Sequence, residues 1–235
     1  MNKFNRGLCA LILLFSTFSS LSAEYLYKDE VLFNPKLTED VEKMGKELHD
    51  KTGIALRLVV IKEFDQNQTI VEYEKNLIKN FNEPTILLTF SELNQKVDIL
   101  CRPESLYKYF DKKQILSPTA TGVQAFFMAV FFSSSFDDFK NNLTDYGGSI
   151  IPLLAEKSKG NETINKYSAS LFNGYADIAE QVAESKNVKL DTAVGNTNRN
   201  AIEIVKIVFY LGVLSGLYLY IKRKIYMKKS ANEKK

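Results

Sequence analysis

Residues Ile54 to Ile61 read IALRLVVI, a run in which every position except Arg57 is apolar and half of the residues are β-branched. This composition is typical of a strand that is covered on both faces of its sheet. The run lies between two helical patterns. Because strands that alternate with helices form parallel sheets, we predict that it is a central strand of an α/β domain.

The two neighbouring helices carry clear terminal signals. The first begins at Asn34-Pro35, since Asn is a good N-cap and Pro suits the first helical position, and it ends at Gly53. The second begins at Thr69, which forms a capping-box pattern with Glu72. Each helix has one apolar stripe, made by Leu37, Val41, Met44 and Leu48 in the first and by Ile70, Tyr73, Leu77 and Phe81 in the second.

The next segment predicts a β-hairpin. Thr85 to Phe90 (TILLTF) and Lys96 to Cys101 (KVDILC) are strand-like runs, and the connection SELNQ between them fits an antiparallel pair. A long helix over Thr163 to Lys186 follows later in the chain. Parallel and antiparallel pairing within one sheet makes the predicted sheet a small mixed one.

The most apolar run of this region is Val123 to Phe132 (VQAFFMAVFF). Ten residues are too few to cross a bilayer. A core helix is the ordinary interpretation, and a face that contacts a membrane or a partner protein is the alternative. The acidic pair Asp137-Asp138, just beyond the run, gives no help in binding anionic lipid.

The order of these elements resembles the TPM-domain family of exported, membrane-tethered proteins, over roughly Tyr27 to Val182. The resemblance implies a three-layer α/β/α domain with a small mixed sheet. The residues that carry it are Lys28 to Leu32 (KDEVL), Lys51-Thr52-Gly53-Ile54 leading into LRLVVI, the hairpin TILLTFSELNQKVDIL, Ile151-Pro152-Leu153 and Asn173 to Ile178 (NGYADI).

Members of this family are linked to membrane-protein assembly or repair and to the modulation of membrane complexes, and some bind divalent metal or dephosphorylate. The present chain departs from the family where that chemistry is expected. The family has a Gly-rich turn that leads to a Glu after the hairpin. Here Cys101 to Leu106 (CRPESL) has no glycine, and its acid, Glu104, comes about two positions early.

Both ends of the chain predict export and a membrane anchor. Lys3 and Arg6 precede the apolar run Leu8 to Phe18, and Ser22 or Ala23 is a suitable cleavage site, as in a signal peptide. Ile202 to Ile221 is apolar enough to predict a transmembrane helix. The basic residues after Ile221 place the C-terminus in the cytoplasm.

We therefore predict a protein of the bacterial inner membrane with its bulk in the periplasm. Its predicted parts are a signal peptide (1–23), a TPM-like exported domain (24–187), a tether (188–200), a transmembrane helix (201–221) and a basic cytoplasmic tail (222–235).

Charge, cysteine content and histidine content restrict what the exported domain can be. Residues 24–198 carry 20 Lys and Arg against 26 Asp and Glu, a net charge of −6, which argues against nucleic-acid binding. Cleavage of the signal peptide leaves Cys101 alone, so we expect no internal disulfide. The single histidine, His49, lies beside the apolar stripe of its helix, and we expect it at the surface.

The sequence predicts no catalytic set. Asp29, Glu104 and Asp111 are weak candidates for a site that holds a hard cation, Ca²⁺ or Mg²⁺, and the other interpretation is three ordinary surface carboxylates. We predict a membrane-tethered, extracytoplasmic binding or accessory module that acts on membrane-protein complexes or envelope upkeep, with another membrane or envelope protein as its partner. The alternative is a divalent-metal-assisted phosphatase.

One modification site is predicted. Asn67 lies in an Asn-x-Thr sequence with Asp65 two positions before it, which resembles the extended acceptor sequence of bacterial N-glycosylation. The loop between the buried strand and the helix that starts at Thr69 would present this residue to an enzyme outside the cytoplasm. We therefore predict an N-glycan on Asn67.

Overall fold

The fold is built on a mixed β-sheet. The computed structural model describes residues 24–65, 68–195 and 197–232. Among these residues four strands form one sheet in the order β1-β2-β3-β4, with β1, β2 and β3 parallel and β4 antiparallel to β3. The strands are β1 (Leu26–Asp29), β2 (Ala55–Ile61), β3 (Thr85–Ser91) and β4 (Lys96–Arg102).

The described α-helices differ widely in length, from single turns to a helix of 36 residues. Short 3-10 segments at Ile78–Asn80 and Glu104–Tyr109 extend the connections. The α-helices are α1 (Pro35–Thr52), α2 (Ile70–Leu77), α3 (Lys112–Ile115), α4 (Gly122–Phe132), α5 (Phe136–Thr144), α6 (Ile151–Leu154), α7 (Asn161–Ser185) and α8 (Thr197–Asn232).

The sheet is covered on both faces, which gives three layers. Leu56, Leu58 and Val60 of β2 point into the larger core, together with α1 and α7, and Val59 and Ile61 point into a smaller core beside α2. Every residue of β2 is buried. The predicted α/β class, the buried central strand and the small mixed sheet agree with the structure.

Arg57, the one charged residue of β2, is neutralised where it lies. Its guanidinium pairs with Glu83 and donates a hydrogen bond of 3.2 Å to the Thr85 hydroxyl. It also stacks on the Phe81 ring, 4.2 Å from the ring centroid. A buried charge is tolerated when it is paired and hydrogen-bonded, so β2 keeps its central position despite Arg57.

The predicted helix termini are confirmed. The Asn34 side chain accepts hydrogen bonds from the first backbone N–H groups of α1, and Gly53 ends the helix in the left-handed region with φ 70°. Thr69 and Glu72 form the capping box at the start of α2. These signals depend on residues a few positions apart, and for that reason they can be read from the sequence alone.

The segment after α7 is packed against the domain at its beginning. Leu190 is buried in the larger core. Glu47 of α1 accepts hydrogen bonds from the backbone N–H groups of Asp191 and Thr192, at 2.5 and 2.9 Å. The first residues of the predicted tether (188–200) are therefore fixed to α1.

The predicted transmembrane helix is wrong. Residues Thr197–Asn232 form one helix, α8, but among the described residues there is no helix with both the length and the apolar character needed to cross a membrane. The physical reason is that the uncharged part of α8 is too short to cross the hydrocarbon layer. It extends from Ile207 to Ile221, between Lys206 and Lys222, and covers about 22 Å at the helical rise, against about 30 Å of hydrocarbon.

Candidate functional site

The helix α4 has an unusually apolar exposed surface. Within Gly122–Phe132, all of which the structure describes, burial is confined to Ala125 and Ala129. The remaining large side chains face solvent, and Phe131 and Phe132 are 69% and 70% exposed. The exposed apolar side chains of this helix are Val123, Phe126, Phe127, Met128, Val130, Phe131 and Phe132.

Local sequence explains why this run is helical although it is not in the core. Thr121 caps the helix: its hydroxyl accepts a hydrogen bond from the Gln124 N–H, and its own N–H donates one to Gln124 Oε1. Ser135 caps α5 in the same way by accepting from Asp138 N–H. The two helices pack on each other, and Asn142 Nδ2 donates to Ser133 Oγ at 3.0 Å across the turn. We call this pair, residues 122–144, the apolar hairpin.

The interpretation of Val123 to Phe132 as a core helix does not agree with the structure. A helix that is apolar on nearly all sides is normally buried in a protein or in lipid. Here the two alanines, four positions apart, form a narrow inner seam, and the rest of the circumference is open. The alternative interpretation, a face for a membrane or a partner, requires such exposure and stays a prediction.

The charge around the apolar hairpin is low and slightly negative. From Gln114 to Phe136 the chain has no charged residue. In α5 the exposed Asp137 and Asp138 stand against one cation, Lys140. Phe136, directly before the two acids, is 80% exposed and its ring stacks on that of Phe139.

The three predicted cation ligands lie in different parts of the structure, and two of them accept hydrogen bonds from backbone N–H groups. Asp29 accepts hydrogen bonds from the backbone N–H groups of Val31, Leu32 and Phe33, at 3.0, 2.7 and 2.8 Å. Asp111 caps α3 by accepting from Gln114 N–H at 2.9 Å. Glu104 is exposed in the first turn of the 3-10 segment after β4.

These three carboxylates are not brought together. In the part of the chain that the structure describes, no group of three or more His, Cys, Asp or Glu side chains is arranged to hold a metal ion. The oxygens of Asp29 and Asp111 serve backbone N–H groups, which is the usual way in which a short acid organises a turn or a helix start. A Ca²⁺ or Mg²⁺ site at these residues stays a prediction.

A buried acid that sequence reasoning missed, Glu74, lies on the inward side of α2. Glu74 is fully buried, and neither of its carboxyl oxygens, nor the buried hydroxyl of Thr89, has a hydrogen-bond partner of good geometry among the described residues. Burial raises the pKa of Glu74 to about 8, and the negative charge of Asp98 adds to the effect. The carboxyl is therefore neutral at and below neutral pH.

One sequence signal could have identified Glu74. It lies four residues after Ile70, on the inward side of α2, where an apolar residue is expected. Its neighbour Asp98 is paired with Lys112 Nζ at 2.6 Å. Since Glu74 has no exposed surface, it cannot contact a substrate in this conformation, and we assign it a structural position.

The edge of the sheet at β4 is closed by side chains. The Ile99 carbonyl accepts from Lys112 Nζ at 2.6 Å and from Tyr107 Oη at 3.1 Å. The Cys101 N–H donates to Tyr107 Oη at 3.2 Å. Because these bonds satisfy the outward backbone groups, this part of β4 is a poor place for another strand to pair.

Cys101, the thiol that remains after the predicted cleavage, is not a nucleophile in this fold. It is buried, and burial raises the pKa of its thiol to about 12. Only the thiolate is reactive, and its population at neutral pH is negligible at such a pKa.

An open cleft of about 620 Å³ lies between β4 and the helices α6 and α7. Two charged groups on its wall are engaged elsewhere. Asp98 is paired with Lys112, and Lys166 Nζ donates to the carbonyl oxygens of Leu154 and Glu156 at 2.9 and 2.7 Å. The cleft thus presents an aliphatic and aromatic wall together with the exposed side chain of Lys96.

Two predictions fall outside the described residues. The signal peptide covers residues 1–23, and the glycosylation site is at Asn67. Both stay predictions.

Comparison with known proteins gives no match, so a functional proposal must rest on the fold and the apolar hairpin. No protein-family model, no curated protein and no solved structure matches this chain.

Proposed function

We propose that this chain is a binding module that attaches to the surface of a lipid bilayer through the apolar hairpin. The observation that carries the proposal is the exposure of the apolar side chains of α4, with Phe131 and Phe132 69% and 70% exposed. Monomeric soluble proteins rarely leave a contiguous apolar surface of this kind open, and such surfaces mark sites of interaction with proteins or membranes.

The distribution of these side chains around α4 favours lipid over a protein as the partner. At 3.6 residues per turn, the positions from Phe126 round to Phe132 cover an arc of about 240° around the helix axis. A flat protein surface contacts one side of a helix. Lipid chains can surround a helix on every side that its own protein leaves open, and this matches the wide apolar arc of α4.

The length of α4 determines how it can enter a bilayer. The helix has 11 residues and is therefore about 16 Å long, roughly half the thickness of the hydrocarbon layer. It can lie in the interface with its apolar side in the acyl boundary, as monotopic helices do. The attachment that we propose is therefore insertion into one leaflet.

The energy available is sufficient for reversible attachment. Transfer of one phenylalanine side chain out of water contributes about 1.5–3 kcal/mol, so the four of α4 supply about 6–12 kcal/mol before the entropic cost of binding. Micromolar affinity corresponds to about 8 kcal/mol. The four phenylalanines of α4 are thus enough for attachment without any specific polar contact.

A local fluorescence measurement tests this proposal in the full chain. A Phe127→Cys variant carries an environment-sensitive dye such as NBD, in a Cys9→Ser background, where the buried Cys101 stays unlabelled. Vesicles made of phosphatidylcholine should shift the emission to the blue and protect the dye from an aqueous quencher. A local probe is needed because α8 also exposes apolar side chains, such as Leu214 and Leu217.

The matched control places the same dye at Leu93. This residue is also apolar and exposed, at 57%, but lies in the turn between β3 and β4. We expect no response there. A dye at position 127 that ignores vesicles, or that responds only when a membrane-protein extract is added, would show that lipid is not the partner. Equal responses at 127 and 93 would also contradict the proposal.

A further inference from the structure

We infer that the lipid surface bound by the apolar hairpin is electrically neutral, so that zwitterionic lipid is preferred to anionic lipid. This inference rests on the attachment proposed above and specifies its ligand. It follows from the charges that surround the inserted residues, because these charges come close to the headgroups when α4 enters a leaflet.

The first observation concerns the inserted element itself. Most helices that lie on anionic membranes carry Lys and Arg along their polar side. In α4 there is no charged residue, and the uncharged run continues on both sides, from Gln114 to Phe136. Nothing in this run can form an ion pair that would compensate the net negative charge of an anionic headgroup.

The second observation concerns the charges that come next. Asp137 and Asp138 are exposed in the first turn of α5, directly after the exposed ring of Phe136. They lie well within one Debye length of an inserted Phe136, about 10 Å at ordinary ionic strength. Lys140 compensates one of these two charges, and the hairpin keeps a net negative charge.

The third observation is the charge of residues 24–198, which is −6, whereas the cations that bring the whole chain to +3 lie mainly after Ile221. An anionic bilayer attracts each nearby basic residue by about 1 kcal/mol, or about fivefold in affinity, and repels each nearby acid by a comparable amount. Insertion of the hairpin brings the acidic domain toward the membrane. Attachment must therefore come from the apolar contact, and a neutral surface offers that contact without repulsion.

The test compares two kinds of vesicle with the dye at position 127, in a chain whose exposed α8 residues Lys222, Arg223 and Lys224 are changed to Gln, because these cations would attract anionic lipid by themselves. Vesicles of phosphatidylcholine alone should bind more tightly than vesicles that contain 30% phosphatidylglycerol, by a factor of about five or more at 50 mM salt. The affinity for the neutral vesicles should be nearly the same at 500 mM salt. Tighter binding to anionic vesicles that is lost in salt would overturn the inference.

A pair of variants identifies the charges responsible. Asp137→Asn with Asp138→Asn should reduce the difference between the two kinds of vesicle, because the nearest acids are removed. Asp50→Asn with Glu63→Gln changes the charge equally at exposed positions outside the hairpin and should preserve the difference. If both pairs act alike, the specific role of α5 is refuted. If neither kind of vesicle binds, the proposed function fails, whereas a preference for anionic vesicles refutes only this inference.

Discussion

The hydroxyl of Tyr175, in α7, donates a hydrogen bond of 2.8 Å to the carbonyl oxygen of Leu56, in β2. Leu58, two residues later, bonds through its N–H to the Tyr25 carbonyl on the β1 side, so the backbone groups of Leu56 point to that side as well. Pairing with β1 begins at Leu58. The Tyr175 hydroxyl thus satisfies a backbone carbonyl of β2 at a position where β1 does not yet pair with it.

The first prediction concerns this hydrogen bond. Tyr175→Phe leaves the buried Leu56 carbonyl without its partner, and we expect a loss of about 1–3 kcal/mol in the free energy of unfolding. Urea denaturation should show a lower midpoint with the same slope. Tyr27→Phe removes a hydroxyl from a partly exposed ring and should change stability by less than about 0.5 kcal/mol. Equal effects of the two changes would mean that the hydrogen bond from Tyr175 to Leu56 contributes nothing to the free energy of unfolding.

A second prediction follows from the close contact between α1 and α7 at the same place. A Cβ atom on Gly45 would come within 2.4 Å of both Tyr175 Oη and Tyr25 Cγ. Gly45→Ala should therefore destabilise the fold by about 1–3 kcal/mol, although alanine is the better helix former. Gly212→Ala, at a helical glycine in α8 with open space around it, serves as the control. A Gly45→Ala variant as stable as the wild type in thermal melting would contradict the close packing.

The third prediction is a dependence on pH that comes from Glu74. Burial raises the pKa of Glu74 from 4.5 to about 8, so the folded state holds a proton that the unfolded state releases above its own pKa. Stability from this group is complete below about pH 4.5 and is lost as the pH rises toward about 8. Glu74→Gln, which cannot ionise, should remove this decline, and above neutral pH the variant should melt at a higher temperature than the wild type. Parallel melting curves for the two proteins between pH 5 and 9 would show that the Glu74 carboxyl is not held neutral.

Much of the sheet could be predicted because its signals are local. The Asn34 cap, the left-handed Gly53 and the Thr69–Glu72 capping box each involve residues within one helical turn. Nearly all residues of β2 are apolar, so its composition alone indicates that both faces of this strand are covered. The alternation with helices indicates parallel pairing, but it does not determine the order of the strands, and β1 was not predicted.

The candidate site could not be predicted in the same way, since its features depend on distant packing. The run from Val123 to Phe132 is apolar on nearly all sides, so its periodicity does not indicate which side is covered. Whether the large side chains are buried depends on where α4 lies relative to the sheet. Glu74 is a similar case, because its missing partners are set by the contact of α2 with β3 and β4. Asp29 has the spacing of a turn former as well as the chemistry of a cation ligand, and the turn uses its oxygens.

A fourth prediction concerns the attachment of the segment after α7. Burial alone would raise the pKa of Glu47, but hydrogen bonds from Lys51, from the Thr192 hydroxyl and from the N–H groups of Asp191 and Thr192 lower it from 4.5 to about 2. The stability from this group is present above about pH 4.5 and is lost as the pH falls toward about 2. Glu47→Gln should lose about 1–3 kcal/mol near neutral pH and show a weaker decline in acid. Glu39→Gln, at an exposed ion pair of the same helix, is the control. If acid titration affects both variants and the wild type equally, Glu47 does not hold the segment.

The last prediction distinguishes an exposed docking helix from a core helix by stability alone. Phe127 and Phe131 stack on each other at the surface of α4, with ring centroids 6.0 Å apart. Because both rings are more than half exposed, at 53% and 69%, Phe127→Ser with Phe131→Ser should change the free energy of unfolding by less than about 1 kcal/mol, whereas two buried phenylalanines would cost about 6 kcal/mol or more. Ala129→Leu, by contrast, adds bulk to the buried seam and should destabilise the apolar hairpin by about 1–3 kcal/mol. Amide hydrogen exchange over residues 122–144 reports the hairpin separately from the sheet. Loss of protection in the double serine variant with none in Ala129→Leu would mean that the phenylalanines are the buried side of α4.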